Sequence, residues 1–190
     1  LLVPGARDLF QSPHKCASLT IISPKMQAGP DNDFEFLDEP THPGAHKLWQ
    51  YWLSKGAGCG MPDRSDIDLT DIAELAPNIV IVESTATQLE YRLRLAGSAL
   101  AEITGEERTG CLLSEIGNDN GVQKGNVLAR WNAVVRRGFD DKQPVFASAL
   151  ASHPGKEHLI FHGVSLPLTN GGADVEQMIG GLFTTYRSAS

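Results

Sequence analysis

His158 and His162 stand four residues apart in the stretch His158-Leu-Ile-Phe-His-Gly-Val164, which is rich in strand-forming side chains. Side chains alternate along an extended strand, so both imidazoles and Ile160 share one sheet face. Two imidazoles on one face can hold a ligand carboxylate, a metal or a haem iron. The commoner arrangement of such residues is hydrogen bonding to backbone or exposure to water. His153 adds proximity without a ligand spacing. His42 and His46 would be neighbours at i,i+4 on a helix, but Pro43 and Gly44 intervene and we discount a metal pair there. No His-Glu-x-x-His motif is present. A metal-dependent enzyme built on His158 and His162 therefore ranks last among the readings, and no metal ligand is assigned.

Nucleophilic chemistry finds less support. There is no Gly-x-Ser-x-Gly elbow, and no Ser or Cys has a base and an orienting group in a known arrangement. Cys111 follows Gly110 and precedes Leu112-Leu113, which reads as a small buried hydrophobe. Gly121 to Gly125 and Gly56 to Gly60 match neither phosphate-loop nor dinucleotide fingerprints. No catalytic residue is assigned, and a non-enzymatic role is expected.

The elements that would position these residues must be drawn from a chain of 190 residues, 41% of them hydrophobic, which suits one packed core with extensions. The net charge is -7 and the pI about 5.3. That balance repels phosphate backbones and anionic headgroups, so neither nucleic acid nor membrane is an expected partner. Residues 1–25 lack the apolar stretch and cleavage site of a secretory signal. Cys16, Cys59 and Cys111 are odd in number and widely spaced, with no CxxC pair, which fits free thiols in a cytoplasmic setting.

Residues 1–44 read as a flexible or extended N-terminal segment, with Pro24, Gly29, Pro30, Pro40, Pro43 and Gly44 breaking regular structure. A short helix follows at His46 to Leu53, with Leu48, Trp49, Trp52 and Leu53 at helical spacing. The segment Asp71 to Pro77 is helical, with Pro77 ending it at the preceding residue. Ile79 to Glu83 is an unbroken β-branched run, and Leu89 to Leu95 alternates apolar with polar, so the two form a hairpin. Helical patterning returns through Leu100 and Ile103. Val127, Leu128, Trp131, Val134 and Val135 form one stripe of a longer amphipathic helix ended by Gly138. Arg130, Arg136 and Arg137 take its remaining faces or last turn. Strands are expected at Val145 to Ala151, His158 to Leu168 and Val175 to Tyr186, the last two joined at Gly171-Gly172. No kinase, cyclase or DNA-binding pattern follows them, so an output by non-covalent contact is expected.

The order helix, two strands, helices, three strands is shared with PAS domains, and particular residues sharpen the likeness. Trp49-Gln-Tyr-Trp-Leu53, Met61-Pro-Asp-Arg-Ser-Asp-Ile-Asp68, Tyr91-Arg-Leu-Arg-Leu-Ala-Gly-Ser-Ala-Leu100, Gly105, Thr109-Gly110, Pro144 and Val164-Ser-Leu-Pro-Leu168 stand in the order of a bacterial family of short, stand-alone PAS proteins. The chain resembles that family over roughly residues 45–187. The resemblance implies an α+β domain whose five-stranded antiparallel sheet carries helices on one face, preceded by an N-terminal helical extension, and it implies a sensory role.

Flavin photoreceptors on this fold carry a reactive cysteine in an Asn-Cys-Arg-Phe-Leu-Gln type motif, which Gly110-Cys-Leu-Leu-Ser114 does not match. Haem and flavin are accordingly not expected, and an unidentified small molecule is the ligand the resemblance leaves open. In PAS folds ligands sit between the sheet and the helices crossing it. Tyr91, Leu93, Trp131 and His162 are the cavity residues this placement suggests, against the alternative that they fill a dry core. Arg92 and Arg94 are expected in solvent, although an inward arginine would clamp a carboxylate. Trp49 and Trp52 on the flanking helix are candidate interface anchors, for a homodimer or for a signalling protein. Two main readings result: a sensory module that relays ligand or partner binding through helix packing, and a dimerisation domain with a filled core.

Overall fold

The computed structural model describes residues 32–56, 60–85, 90–116, 124–151 and 155–187. Six strands form one sheet: β1 (Phe34–Leu37), β2 (Ile79–Ser84), β3 (Tyr91–Ala96), β4 (Val145–Leu150), β5 (Leu159–Leu168) and β6 (Gln177–Tyr186). Their spatial order is β1-β4-β5-β6-β2-β3, and every pairing is antiparallel. The β2–β3 hairpin and the β5–β6 hairpin form as their alternation and the turn at Gly171, in the left-handed region at φ 75°, require.

The sixth strand lies within the segment that reads as an N-terminal lead-in. Phe34-Glu-Phe-Leu37 alternates too briefly to be called a strand between Pro30 and Pro40. As an edge strand it needs a ladder on one side only, and β4 supplies it, from Phe34 opposite Ala149 to Leu37 opposite Phe146.

Three α-helices are described: α1 (Pro43–Lys55), α2 (Ser98–Thr104) and α3 (Lys124–Asp141). They do not share one face of the sheet. Ile79, Ile81, Val164, Leu166 and Ile179 turn toward α1, where Leu48 and Trp52 are buried against them. Val80, Val82, Leu93 and Met178 turn the other way, toward Leu100 of α2 and Val135 of α3. Runs such as Ile79-Val-Ile-Val82 are apolar at every position, so both faces must be covered. Thus α1 is part of the core. It closes the second face.

Two element ends differ from the sequence reading. The 3₁₀ segment Leu69–Asn78 continues through Pro77, with the Ile79 N–H reaching back to the Ala76 carbonyl. Helix α3 runs past Gly138 to Asp141 and stops at Lys142, which is left-handed at φ 52°. Gly138 serves approach instead of termination: a Cβ there would lie 2.2 Å from Met178 Cε on the sheet below. Gly97, by contrast, acts as its position between β3 and α2 suggests. A Cβ at Gly97 would lie 2.3 Å from the Pro77 carbonyl oxygen, so the tight exit from the strand excludes any other side chain. Among the described residues no helix is long and apolar enough to cross a membrane.

Candidate functional site

The site begins with missing side chains. Across the middle of the sheet, on the face under α2 and α3, successive register partners are small: Ala147 opposite Gly163, Ser165 opposite Gly180, and Ala149 toward the β1 edge. A helix seated on a sheet keeps its distance by the side chains between them. Where the floor carries hydrogen or methyl, space remains. A cavity of about 120 Å³ results, partly open to solvent. Its roof is Trp131, Val134 and Val135 of α3 with Leu100 and Ile103 of α2, and its walls are almost wholly apolar. Gly163 marks the most open part of the floor. The nearest atom to a Cβ built there is the Ala147 carbonyl oxygen at 3.9 Å.

Four polar residues reach the cavity lining: Thr104, Arg130, Ser148 and Ser165. The Thr104 hydroxyl is bonded back to the Leu100 and Glu106 carbonyls. Arg130, which the sequence places outside the apolar stripe of α3, on its remaining faces or last turn, is buried at the cavity. It is 8% exposed, and its Nη1 donates to the Leu150 carbonyl at 2.7 Å beside the cavity. The hydrophobic stripe of α3 conceals this, since one turn of cavity lining can accept an arginine whose stem packs and whose head reaches a carbonyl.

Of the four cavity residues the sequence suggested, Trp131 lines the cavity. Tyr91 and Leu93 lie on the same side of the sheet but outside the lining. The Tyr91 ring stacks on Phe139 at 4.9 Å, burial pushes its phenol pKa up, and Leu93 is fully buried in the cluster beneath α3. His162 faces the opposite way, toward α1. Its placement in the cavity wall is corrected by register: His162 pairs with Phe183 and Ser148, one residue out of step with Gly163. A shift of one position along a strand moves a side chain to the other face.

On the α1 side His162 is 9% exposed, with Thr41 Oγ1 2.9 Å from Nδ1 and Thr185 Oγ1 2.8 Å from Nε2. Its neighbour is His42, ring centroids 5.5 Å apart, and not His158, which stacks on Tyr186 at the strand's exposed start. His42 caps α1: its Nδ1 accepts the Gly44 N–H at 3.0 Å, and its ring stacks on Phe183. Burial holds both imidazoles below their ordinary pKa, and the charge of His42 lowers His162 further. Pro43 and Gly44, which argued against a His42 and His46 pair, are the helix's first turn. The signal that was missed is the Pro at N1, which makes the preceding residue the cap. Among the described residues no three His, Cys, Asp or Glu side chains cluster to hold a metal ion. His153, Cys16 and Cys59 lie outside the described residues; Cys111 is a free thiol, half-buried beside the β3 edge.

The tryptophans of α1 face inward. Trp52 is 2% exposed and donates its indole N–H to the Pro167 carbonyl at 2.8 Å, while Trp49 packs edge-on against Phe146. Trp52 is thus a core residue and not a surface anchor. The acidic stretch Met61 to Asp68 is structural too. Asp63 accepts the Gly171 N–H, the Ser65 N–H and the Thr169 hydroxyl, which hold its carboxyl well below the usual range and clasp the loop to the β5–β6 turn. Thr109-Gly110 lets the following loop pair with β3, with Gly110 N–H bonded to the Leu93 carbonyl. The motifs that carried the resemblance therefore build the fold around the cavity.

No curated protein matches the chain. The family model described as PAS domain matches residues 40–183, which spans α1, strands β2 to β5, β6 as far as Phe183, and both helices over the cavity. A sheet of antiparallel strands, interrupted after a hairpin by helices that roof an apolar cavity, and a match over three quarters of its length together establish that this chain belongs to the PAS domain family.

Proposed function

We propose that this domain is a sensory binding module in which a small, largely apolar molecule enters the cavity beneath α2 and α3 and biases how α3 seats on the sheet. The cavity itself carries the reading. Its volume, about 120 Å³, approaches the roughly 150 Å³ apolar cavity that admits benzene, and favours a ligand of that size over a porphyrin or flavin. Its walls offer surface to bury and no nucleophile with an adjacent base among the described residues, which supports binding and relay over catalysis.

A ligand shifts such a packing only through different affinity for its two arrangements. The roof is suited to that. Gly138 lets α3 approach the sheet closely at one end, while at the Trp131 end side chains stand over an almost bare floor. Filling that space changes what α3 rests on. The altered α3 surface is then read by a partner protein or a second copy of the chain, in a cytoplasmic setting that suits the free Cys111 thiol. The test is titration with benzene, followed by tryptophan fluorescence, in the wild type and in a Trp131→Phe variant that removes the cavity indole, and by thermal melting. Saturable binding raises the melting temperature, by about 2.7 kcal/mol of stability at a hundredfold excess over Kd. A melting curve and an indole signal that ignore benzene overturn the proposal.

A further inference from the structure

On the cavity face the floor is apolar or bare except at Ser165. This residue is 5% exposed, pairs with Val145 and Gly180, and lines the cavity. Its hydroxyl finds no hydrogen-bond partner among the described residues. The Oγ is not one of the fully enclosed unpaired polar atoms, so it opens on the cavity, where a bonding group can reach it. Of the other polar residues at the cavity, Thr104 is bonded to the Leu100 and Glu106 carbonyls, Arg130 to that of Leu150, and Ser148, register partner of His162, belongs to the α1 face of its strand.

We propose that the Ser165 hydroxyl is the polar anchor of the ligand, a compact neutral molecule with one hydroxyl or carbonyl at its end. This rests on the cavity being a binding site. Ser165 can donate to a carbonyl or accept from a hydroxyl. The apolar body of the ligand then lies over Gly163 and Ala147, toward Trp131. Neutrality follows from position. Ser165 Oγ sits beside Gly138, where a Cβ would be 3.7 Å away, and Arg130 leaves α3 eight residues earlier, about 12 Å along the helix axis. A molecule sized to this cavity and anchored at Ser165 does not bring a charged end to the guanidinium.

The experiment compares benzene with phenol, the same ring with and without a hydroxyl, on the wild type, Ser165→Ala and Ser165→Thr. Taking the ratio of the two affinities removes the difference in their hydration. In Ser165→Ala the preference for phenol relative to benzene falls about 5-fold, as loss of one neutral hydrogen bond implies. Benzene affinity itself stays within about 2-fold, which also reports that the variant is folded. Ser165→Thr keeps the hydroxyl and restores the wild-type ratio. If both ligands bind and the ratio is the same in wild type and Ser165→Ala, Ser165 is not the anchor although the cavity still binds. If the wild type binds neither, the cavity reading fails and this inference fails with it.

Discussion

Gly163→Val separates a cavity kept for a ligand from a packing defect without a use. The strand backbone at Gly163 is ordinary, since it is not among the glycines at positive φ, and a Cβ there meets only the Ala147 carbonyl oxygen at 3.9 Å. A valine therefore projects into the cavity without displacing backbone. A fully enclosed void of about 120 Å³ would cost roughly 2.9 kcal/mol at about 24 cal/mol per Å³, which sets the ceiling for this partly open cavity. Three added carbons recover roughly 2.4 kcal/mol at about 0.8 kcal/mol each. Removing a glycine from the unfolded chain contributes roughly 0.4–1 kcal/mol more. Imperfect fit takes some of this back, so the expected gain is about 2 kcal/mol. At about 2–4 °C per kcal/mol for a chain of this size, the melting temperature rises about 4–8 °C. Benzene no longer raises it further, and Gly163→Ala falls between. Calorimetric melts with and without benzene read both effects. An unchanged or lower melting temperature together with intact benzene binding would refute the argument, because the ligand would then lie somewhere other than over Gly163.

Two further perturbations probe the opposite face. The imidazoles of His42 and His162 are held neutral by burial, so their folded-state pKa values lie below the unfolded value of about 6.5. Their contribution to stability is complete above that pH and is lost as pH falls through the lowered values, where the unfolded chain binds more protons. His42→Asn keeps a cap for the Gly44 N–H but cannot titrate, and should flatten the fall in melting temperature between pH 7 and pH 5; an unaltered slope would show that His42 does not titrate in this way. Trp52→Phe removes the donor to the Pro167 carbonyl and should cost about 2 kcal/mol with no change in mass by light scattering. A changed mass at unaltered stability would instead return Trp52 to an interface.

Local pattern determined a large part of this protein. Alternation at Tyr91 to Leu95, the β-branched run from Ile79, the glycine pair at 171 and 172 and the stripe through Trp131 are each read from a few neighbours, because a strand or helix repeats its own geometry. The motifs around Met61, Gly97 and Gly110 led to the family for the same reason: each is a short device, a clasp, a tight exit or a left-handed turn. What pattern could not decide was which side of the sheet a residue faces and what lies across from it. His162 and Gly163 are adjacent in sequence, yet register sends one toward His42 and leaves the other as bare floor under α3. The α1 stripe showed an apolar face without showing that a second sheet face awaited it, so Trp52 read as an anchor when it is core. The cavity, too, belongs to tertiary structure alone. It exists because small residues on three separate strands, Ala147 opposite Gly163 and Gly180 opposite Ser165, fall on one sheet face beneath α2 and α3, and only the paired sheet brings those positions together.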